Sequence, residues 1–165
     1  MLFRSFDNPT APVLLDLNMP GRGSVPAVMQ VTKQSWVYAF DRITGEPLWP
    51  IVERPVPASI VPGEVLSPTQ PHVTKPAPYD IQGITIDDLA DFTPEIRRQA
   101  IEALADYQMG PLFNPPIHAG NSTGKFAAMN CPGGGGGANI TAPAVADPRS
   151  EEHTSELQSR AYLGC

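Results

Sequence analysis

The stretch Trp36 to Trp49, WVYAFDRITGEPLW, admits little besides strand, tight turn, strand. Trp36, Tyr38 and Phe40 alternate with Val37, Ala39 and Asp41, the period-2 pattern of a half-buried strand. Asp41 and Thr44 carry side-chain oxygens that bond nearby backbone in turns, and Gly45 takes positive φ without a Cβ clash. Trp49 follows at a fixed offset, with a large apolar face and one N–H to satisfy. Upstream, PVLLDL (12–17) and VPAVMQVT (25–32) read as apolar strands about a Gly-Arg-Gly turn at 21–23. SWVYAFD (35–41) and GEPLWPIV (45–52) complete a four-strand antiparallel meander. Four strands in about 40 residues is the size of one propeller blade.

Composition narrows the class further. Of 165 residues, 20 are proline, more than helical bundles tolerate, since an interior proline removes a hydrogen bond and clashes with the preceding turn. The chain therefore reads as an all-β, loop-rich protein. It has 11 basic against 17 acidic residues and a net charge of −6, which argues against a nucleic-acid partner. The two cysteines, Cys131 and Cys165, are too few for a disulfide framework, and no Cys/His spacing points to zinc. His72, His118 and His153 lie far apart and read as loop or surface residues. No signal peptide pattern and no apolar run long enough to span a bilayer is read.

Beyond the meander, Arg54 to Asp80 carries seven prolines (55, 57, 62, 68, 71, 76 and 78). A proline cannot donate to a sheet ladder, so this part reads as an extended insertion and not as an array of strands. Thr85 to Ala90 reads as a helical turn capped by Thr85, with Asp87 and Asp88 near its positive end. Thr93 to Gln108 reads as a helix, with Thr93 as cap, Pro94 at its first position and Glu95 in its first turn. Its apolar stripe is Ile96, Ala100, Leu104 and Tyr107, and Gly110 can end it. The expected organisation is thus a blade over 6–53, a Pro-rich insertion over 54–116 with a helix at 93–108, and a Gly-rich loop leading into the next blade over 117–148. That last part includes a strand read in ANITAPAVADP. The glycine run 133–137 lacks the Gly-Lys-Ser/Thr ending and following helix of a phosphate-binding loop, so nucleotide binding is not read from it.

The two ends have a different character. RSEEHTSELQS, Arg149 to Ser159, is polar and without apolar period, and it looks like a translated short-read sequencing adapter. Leu-Phe-Arg-Ser at 2–5 fits the other end of the same adapter. Residues 1–5 and 149–165 are accordingly expected to be adapter-derived, and 149–165 to pack against nothing.

The set Ala39, Asp41, Thr44, Gly45 and Trp49 resembles the tryptophan-docking motif of quinoprotein β-propellers, Ala-x-Asp/Asn-x-x-Thr-Gly-x-x-x-Trp. Together with DNPTAPVLLDL, the block VTKQSWVYAFDRITGEPLWP, ERPVP at 53–57, SPTQP at 67–71, DFTPE at 91–95 and GGANI at 136–140, it makes residues 6–148 similar to part of a pyrroloquinoline-quinone (PQQ) dependent dehydrogenase. The resemblance is to the membrane-bound glucose dehydrogenase type. It implies about one blade of an eight-bladed propeller with the quinone at its axis. It also implies an enzyme that oxidises an alcohol or aldose by hydride transfer to PQQ, with a divalent cation, Ca or Mg, on the quinone. Electrons would pass to a membrane quinone, on the periplasmic side of the bacterial inner membrane.

By the same resemblance, Lys33 in VTKQ falls where the family places a lysine against the quinone oxygens. An ammonium there would stabilise charge developing on reduction. Asn139 in GGANI falls where the family has a cofactor-bonding asparagine, although Ile140 replaces the usual tryptophan after it. The family's general-base aspartate aligns with Ser5, and Asp7 aligns with its structural neighbour. The metal ligands and the quinone-stacking tryptophan are expected outside this stretch, so the chain by itself is expected to be inactive. The alternative reading is a non-catalytic propeller scaffold for outer-membrane assembly, which shares the docking motif. Such scaffolds lack Lys33 and the insertion 54–116, which favours the enzyme.

Overall fold

The computed structural model describes residue 6 and residues 8–138. The chain divides into two units. One holds residues 6–51, 73–79 and the stretch from Gly135 onward; the other holds 52–72 and 80–134.

The first unit is built on a three-stranded antiparallel sheet, β1 (Val13–Met19), β2 (Gly23–Val31) and β3 (Val37–Asp41), in the order β1-β2-β3. The β1–β2 turn centres on Pro20 and Gly21, one residue earlier than the Gly-Arg-Gly reading. The Arg22 N–H bonds the Met19 carbonyl at 3.1 Å, and Gly21 has φ +76°, the proline-then-glycine pattern of a type II turn. Register places Leu15 opposite Ala27, Leu17 opposite Val25 and Met29 opposite Ala39. These residues share one face, where Val25, Ala27, Ala39 and Leu48 form the buried cluster and Leu15, Leu17, Met19, Met29 and Trp49 pack against it. Ala39 therefore faces this core. Trp36, Tyr38 and Phe40 form an aromatic row on the opposite face, with Tyr38 and Phe40 stacked at 6.5 Å and Trp36 edge-on to Tyr38 at 6.4 Å.

The turn after β3 forms as its residue types dictate. The Asp41 Oδ1 accepts from the backbone N–H of Ile43 (2.8 Å) and Thr44 (3.2 Å). The Gly45 N–H reaches the Asp41 carbonyl at 2.8 Å with φ +78°. The returning segment is not the fourth strand expected at 45–52. The Asp41 N–H bonds the Glu46 carbonyl and the Leu48 N–H bonds the Ala39 carbonyl, leaving a single bridge between Phe40 and Pro47. Pro47 and Pro50 have no N–H to extend the ladder.

The chain instead forms β4 (Ile51–Pro55), which pairs with β5 (Thr69–Val73). A strand thus lies inside the segment expected to be extended and unpaired. Two-stranded pairing leaves one edge of each strand open, where Pro55 and Pro71 are tolerated.

The second unit also contains β6 (Gly83–Ile84) antiparallel to β8 (Gly110–Pro111), and β7 (Tyr107–Gln108) parallel to β9 (Ala127–Ala128). A 3₁₀ turn spans Ile86–Asp88 behind Thr85, shorter than the Thr85 to Ala90 turn expected, with the Asp88 Oδ2 accepting from the Thr85 N–H and hydroxyl, both at 2.7 Å. Those bonds hold the Asp88 carboxyl below its usual range. The helix α1 is Pro94–Ala103, shorter than the expected 93–108. Thr93 caps it, its hydroxyl accepting from the Ile96 N–H at 3.2 Å. It stops early because Tyr107 and Gln108 are taken up by pairing with Ala127 and Ala128, and the Tyr107 ring packs edge-on to Phe126 at 5.8 Å. Ala100 and Leu104 of the predicted stripe pack on the buried cluster of Ile84, Leu89 and Cys131. The strand read in ANITAPAVADP lies, apart from Ala138, outside the described residues.

Candidate functional site

The turn that joins β2 to β3 carries the first candidate. It closes with the Thr32 N–H on the Trp36 carbonyl at 3.0 Å and the Ser35 N–H on the Thr32 carbonyl at 3.1 Å. The Thr32 side chain reinforces the closure, since its Oγ1 accepts from the Trp36 N–H at 3.3 Å. The closure requires a left-handed residue, and Ser35 supplies it at φ +62°. For a non-glycine residue this costs roughly 1–2 kcal/mol. Thr32, Gln34, Ser35 and Trp36 are all buried, at 0, 1, 0 and 3% exposure, whereas Lys33 is half-buried. A tight, buried turn therefore presents one long cationic side chain part-way to solvent.

Two further segments of the same unit lie against this turn. The Gly137 N–H bonds the Lys33 carbonyl at 2.9 Å. A Cβ on Gly137 would come within 1.9 Å of the Ser35 Oγ, and one on Gly136 within 2.5 Å of the Lys33 Cβ. Glycine at 136 and 137 is thus demanded by close approach of two backbones. The Ser35 Oγ finds no hydrogen-bond partner among the described residues. Beside Gly137, whose Cβ would also come within 2.9 Å of the Tyr79 ring, the Tyr79 hydroxyl donates to the Thr32 carbonyl at 2.9 Å, and the Tyr79 N–H donates to the Ser35 carbonyl at 3.1 Å.

The structure therefore brings the glycine run, two residues before Asn139 in sequence, onto the turn of Lys33. Asn139, Ser5 and Asp7 lie outside the described residues. The involvement of Tyr79 was not legible in the sequence, which gives no sign that the end of a Pro-rich stretch returns to residue 33. The glycine run did carry a signal of close backbone approach.

Among the described residues, the remaining titratable groups do not build a second centre. His72 sits on β5 and packs edge-on to Phe113 at 5.8 Å. Its imidazole is held below the usual histidine range, first by burial and then by Arg54, with Glu53 opposing. Cys131 is buried in the core of its unit, and its carbonyl accepts from the Gly83 N–H at 2.7 Å. Among the described residues, no group of three His, Cys, Asp or Glu is placed to hold a metal ion. No helix among them is long and apolar enough to cross a membrane.

A three-stranded blade sheet with the Asp–Thr–Gly turn and Trp49 against its core, and a cationic turn at the β2–β3 end, define part of a quinoprotein-type β-propeller. The family model described as "PQQ: Glucose/ethanol/alcohol dehydrogenase, beta-propeller domain" matches residues 4–160, and the chain belongs to this family of PQQ-dependent dehydrogenases. A quinate/shikimate dehydrogenase (quinone) of Acinetobacter baylyi is 30% identical over 134 residues, covering 81% of this chain and 16% of that protein. The glycerol dehydrogenase large subunit of Gluconobacter thailandicus is 39% identical over 67 residues, 40% of this chain and 9% of its own. The quinoprotein glucose dehydrogenase of Gluconobacter oxydans is 40% identical over 65 residues, 39% of this chain and 8% of its own. The chain thus spans a small part of the length of these relatives. No solved structure matches it.

Proposed function

We propose that this chain is the part of a PQQ-dependent alcohol or aldose dehydrogenase that presents Lys33 to the cofactor. The observation that carries the reading is the Lys33 turn: one half-buried lysine on a turn whose other residues are buried and which backbone hydrogen bonds close. The donor chemistry fits the group, since an oxygen-rich, anionic quinone is the kind of ligand a fixed cation binds. Lys33 would hold and orient the quinone oxygens, and Asn139 would add a hydrogen bond. PQQ, when bound, supplies the acceptor for a hydride from the substrate carbon. A cation fixed in advance stabilises developing negative charge without having to reorganise. The rigid turn therefore matters as much as the charge.

The general-base position falls at Ser5, within the stretch read as adapter-derived, and the ligands of a divalent cation, Ca or Mg, and a quinone-stacking aromatic would come from other parts of the whole protein. Its substrate would be an alcohol or a glucose-type aldose, its electron acceptor a membrane quinone, and its location the periplasmic side of the inner membrane. Those assignments rest on the family and on the names of the relatives. The test is dye-linked oxidation of glucose, glycerol and quinate by the full-length enzyme carrying this segment, stripped of cofactor and then reconstituted. Activity restored only by PQQ with Ca or Mg is expected. Activity that persists without PQQ, or a full-length protein that takes up no PQQ, would overturn the reading in favour of a non-catalytic scaffold.

A further inference from the structure

We infer that Tyr79 is a positioning residue for Lys33, holding the Thr32–Trp36 turn so that the ammonium meets the quinone at a fixed height. This deepens the proposed function and rests on the Lys33 reading. Tyr79 makes two bonds to the turn from one residue: its hydroxyl to the Thr32 carbonyl and its N–H to the Ser35 carbonyl. These carbonyls bracket Lys33 and Gln34. With the Gly137 N–H on the Lys33 carbonyl, three of the four carbonyls from Thr32 to Ser35 are gripped from outside the hairpin. A hairpin turn closes without such partners, as the Thr32–Trp36 and Thr32–Ser35 bonds show, so these grips add orientation more than closure.

Tyr79 is 45% exposed, too open for core packing to be its main use. Its segment is anchored at the other end, where the Thr74 N–H and hydroxyl both bond the Pro50 carbonyl. Pro76 and Pro78 restrict the backbone in between, because each fixes its own φ. The segment 73–79 thus works as a short stiff strut from the end of the docking-motif hairpin to the cationic turn.

The experiment uses the full-length dehydrogenase carrying this segment, as apoprotein, titrated with PQQ and followed by absorbance of the bound quinone. Melting curves of each apoprotein and dye-linked turnover are recorded alongside. The variants are Tyr79→Phe, Lys33→Ala and the two combined. Tyr79→Phe keeps the ring and the backbone bond and removes only the hydroxyl. It is expected to weaken PQQ binding roughly 2- to 10-fold, the range of one net hydrogen bond, with the apoprotein melting curve unchanged. In the Lys33→Ala background the same change is expected to have no further effect on PQQ affinity, because it acts through Lys33. Unchanged PQQ affinity in Tyr79→Phe, or an equal loss in both backgrounds, would overturn the positioning role while leaving Lys33 at the cofactor. Wild-type PQQ affinity and turnover in Lys33→Ala would overturn the Lys33 reading itself.

Discussion

At the scale of single residues, Ser35 and Gly137 explain each other. Ser35 adopts φ +62° and turns its hydroxyl toward the place a Cβ of residue 137 would occupy. Only a glycine lets the strap settle there and bond the Lys33 carbonyl. The sequence shows the glycines but not their partner, because the contact joins positions about a hundred apart. His72 gives a prediction at this scale. Its pKa is lowered in the folded state, by burial first and by Arg54 second, so the unfolded chain binds the proton more readily. Its contribution to stability is therefore complete above the unfolded value of about 6.5 and is lost as pH falls toward the folded value. Melting of the full-length enzyme between pH 7.5 and 5, compared with His72→Gln, should show the steeper acid-side fall in the wild type. Parallel curves would mean that the imidazole is not held neutral.

Among the elements, β1, β2 and β3 were legible because alternation is strong and their turns carry Pro, Gly, Asp and Thr where turn geometry needs them. The fourth strand was overread. Its apolar content suits a strand, but Pro47 and Pro50 remove the donors that would pair it with β3. The converse error concerned β5, where prolines argued against any strand. A two-stranded pairing leaves free edges, and those admit them. The helix start was legible from Thr93, Pro94 and Glu95. Its end was not, because Tyr107 belongs to a parallel pairing with Ala127 that no local pattern announces. Thr93 accepts the Ile96 N–H, and α1 has no buried residue to hold its first turn. Thr93→Ala should therefore cost about 1 kcal/mol, read as a lower melting midpoint. No change would show that the cap is redundant with the packing of Ala100 and Leu104.

For the whole molecule, the family was legible and the active site was not. The docking motif and the Gly-rich stretch are local in sequence and were readable there. A cofactor site at a propeller axis draws residues from many blades, and this chain aligns with only 8–16% of the length of the relatives quoted above. A blade buries its faces against its neighbours, and repeat arrays need several units to be stable. The described sheet has three strands, and Leu14 and Ile43 stand 67% and 76% exposed. The purified 165-residue chain is accordingly expected to aggregate or to melt without cooperativity, and to reduce no dye with PQQ present. Calorimetry and light scattering check this, and a sharp melt of a soluble monomer would contradict it.

The central claim is that a rigid turn delivers the Lys33 ammonium to the quinone. A charge that binds the reduced, more negative cofactor more strongly than the oxidised one acts on the rate and not only on affinity. Removing one such preorganised charge typically lowers turnover about 10²- to 10³-fold. The side chain is half-buried on the turn and is not part of the core cluster, so its loss should leave the fold intact. Lys33→Arg should recover only part of the rate, because a planar guanidinium fills the site differently. The most direct measurement is dye-linked turnover of full-length Lys33→Ala at saturating PQQ and metal. The account predicts a loss of about 10²- to 10³-fold with an unchanged melting temperature, and turnover near that of the wild type would contradict it.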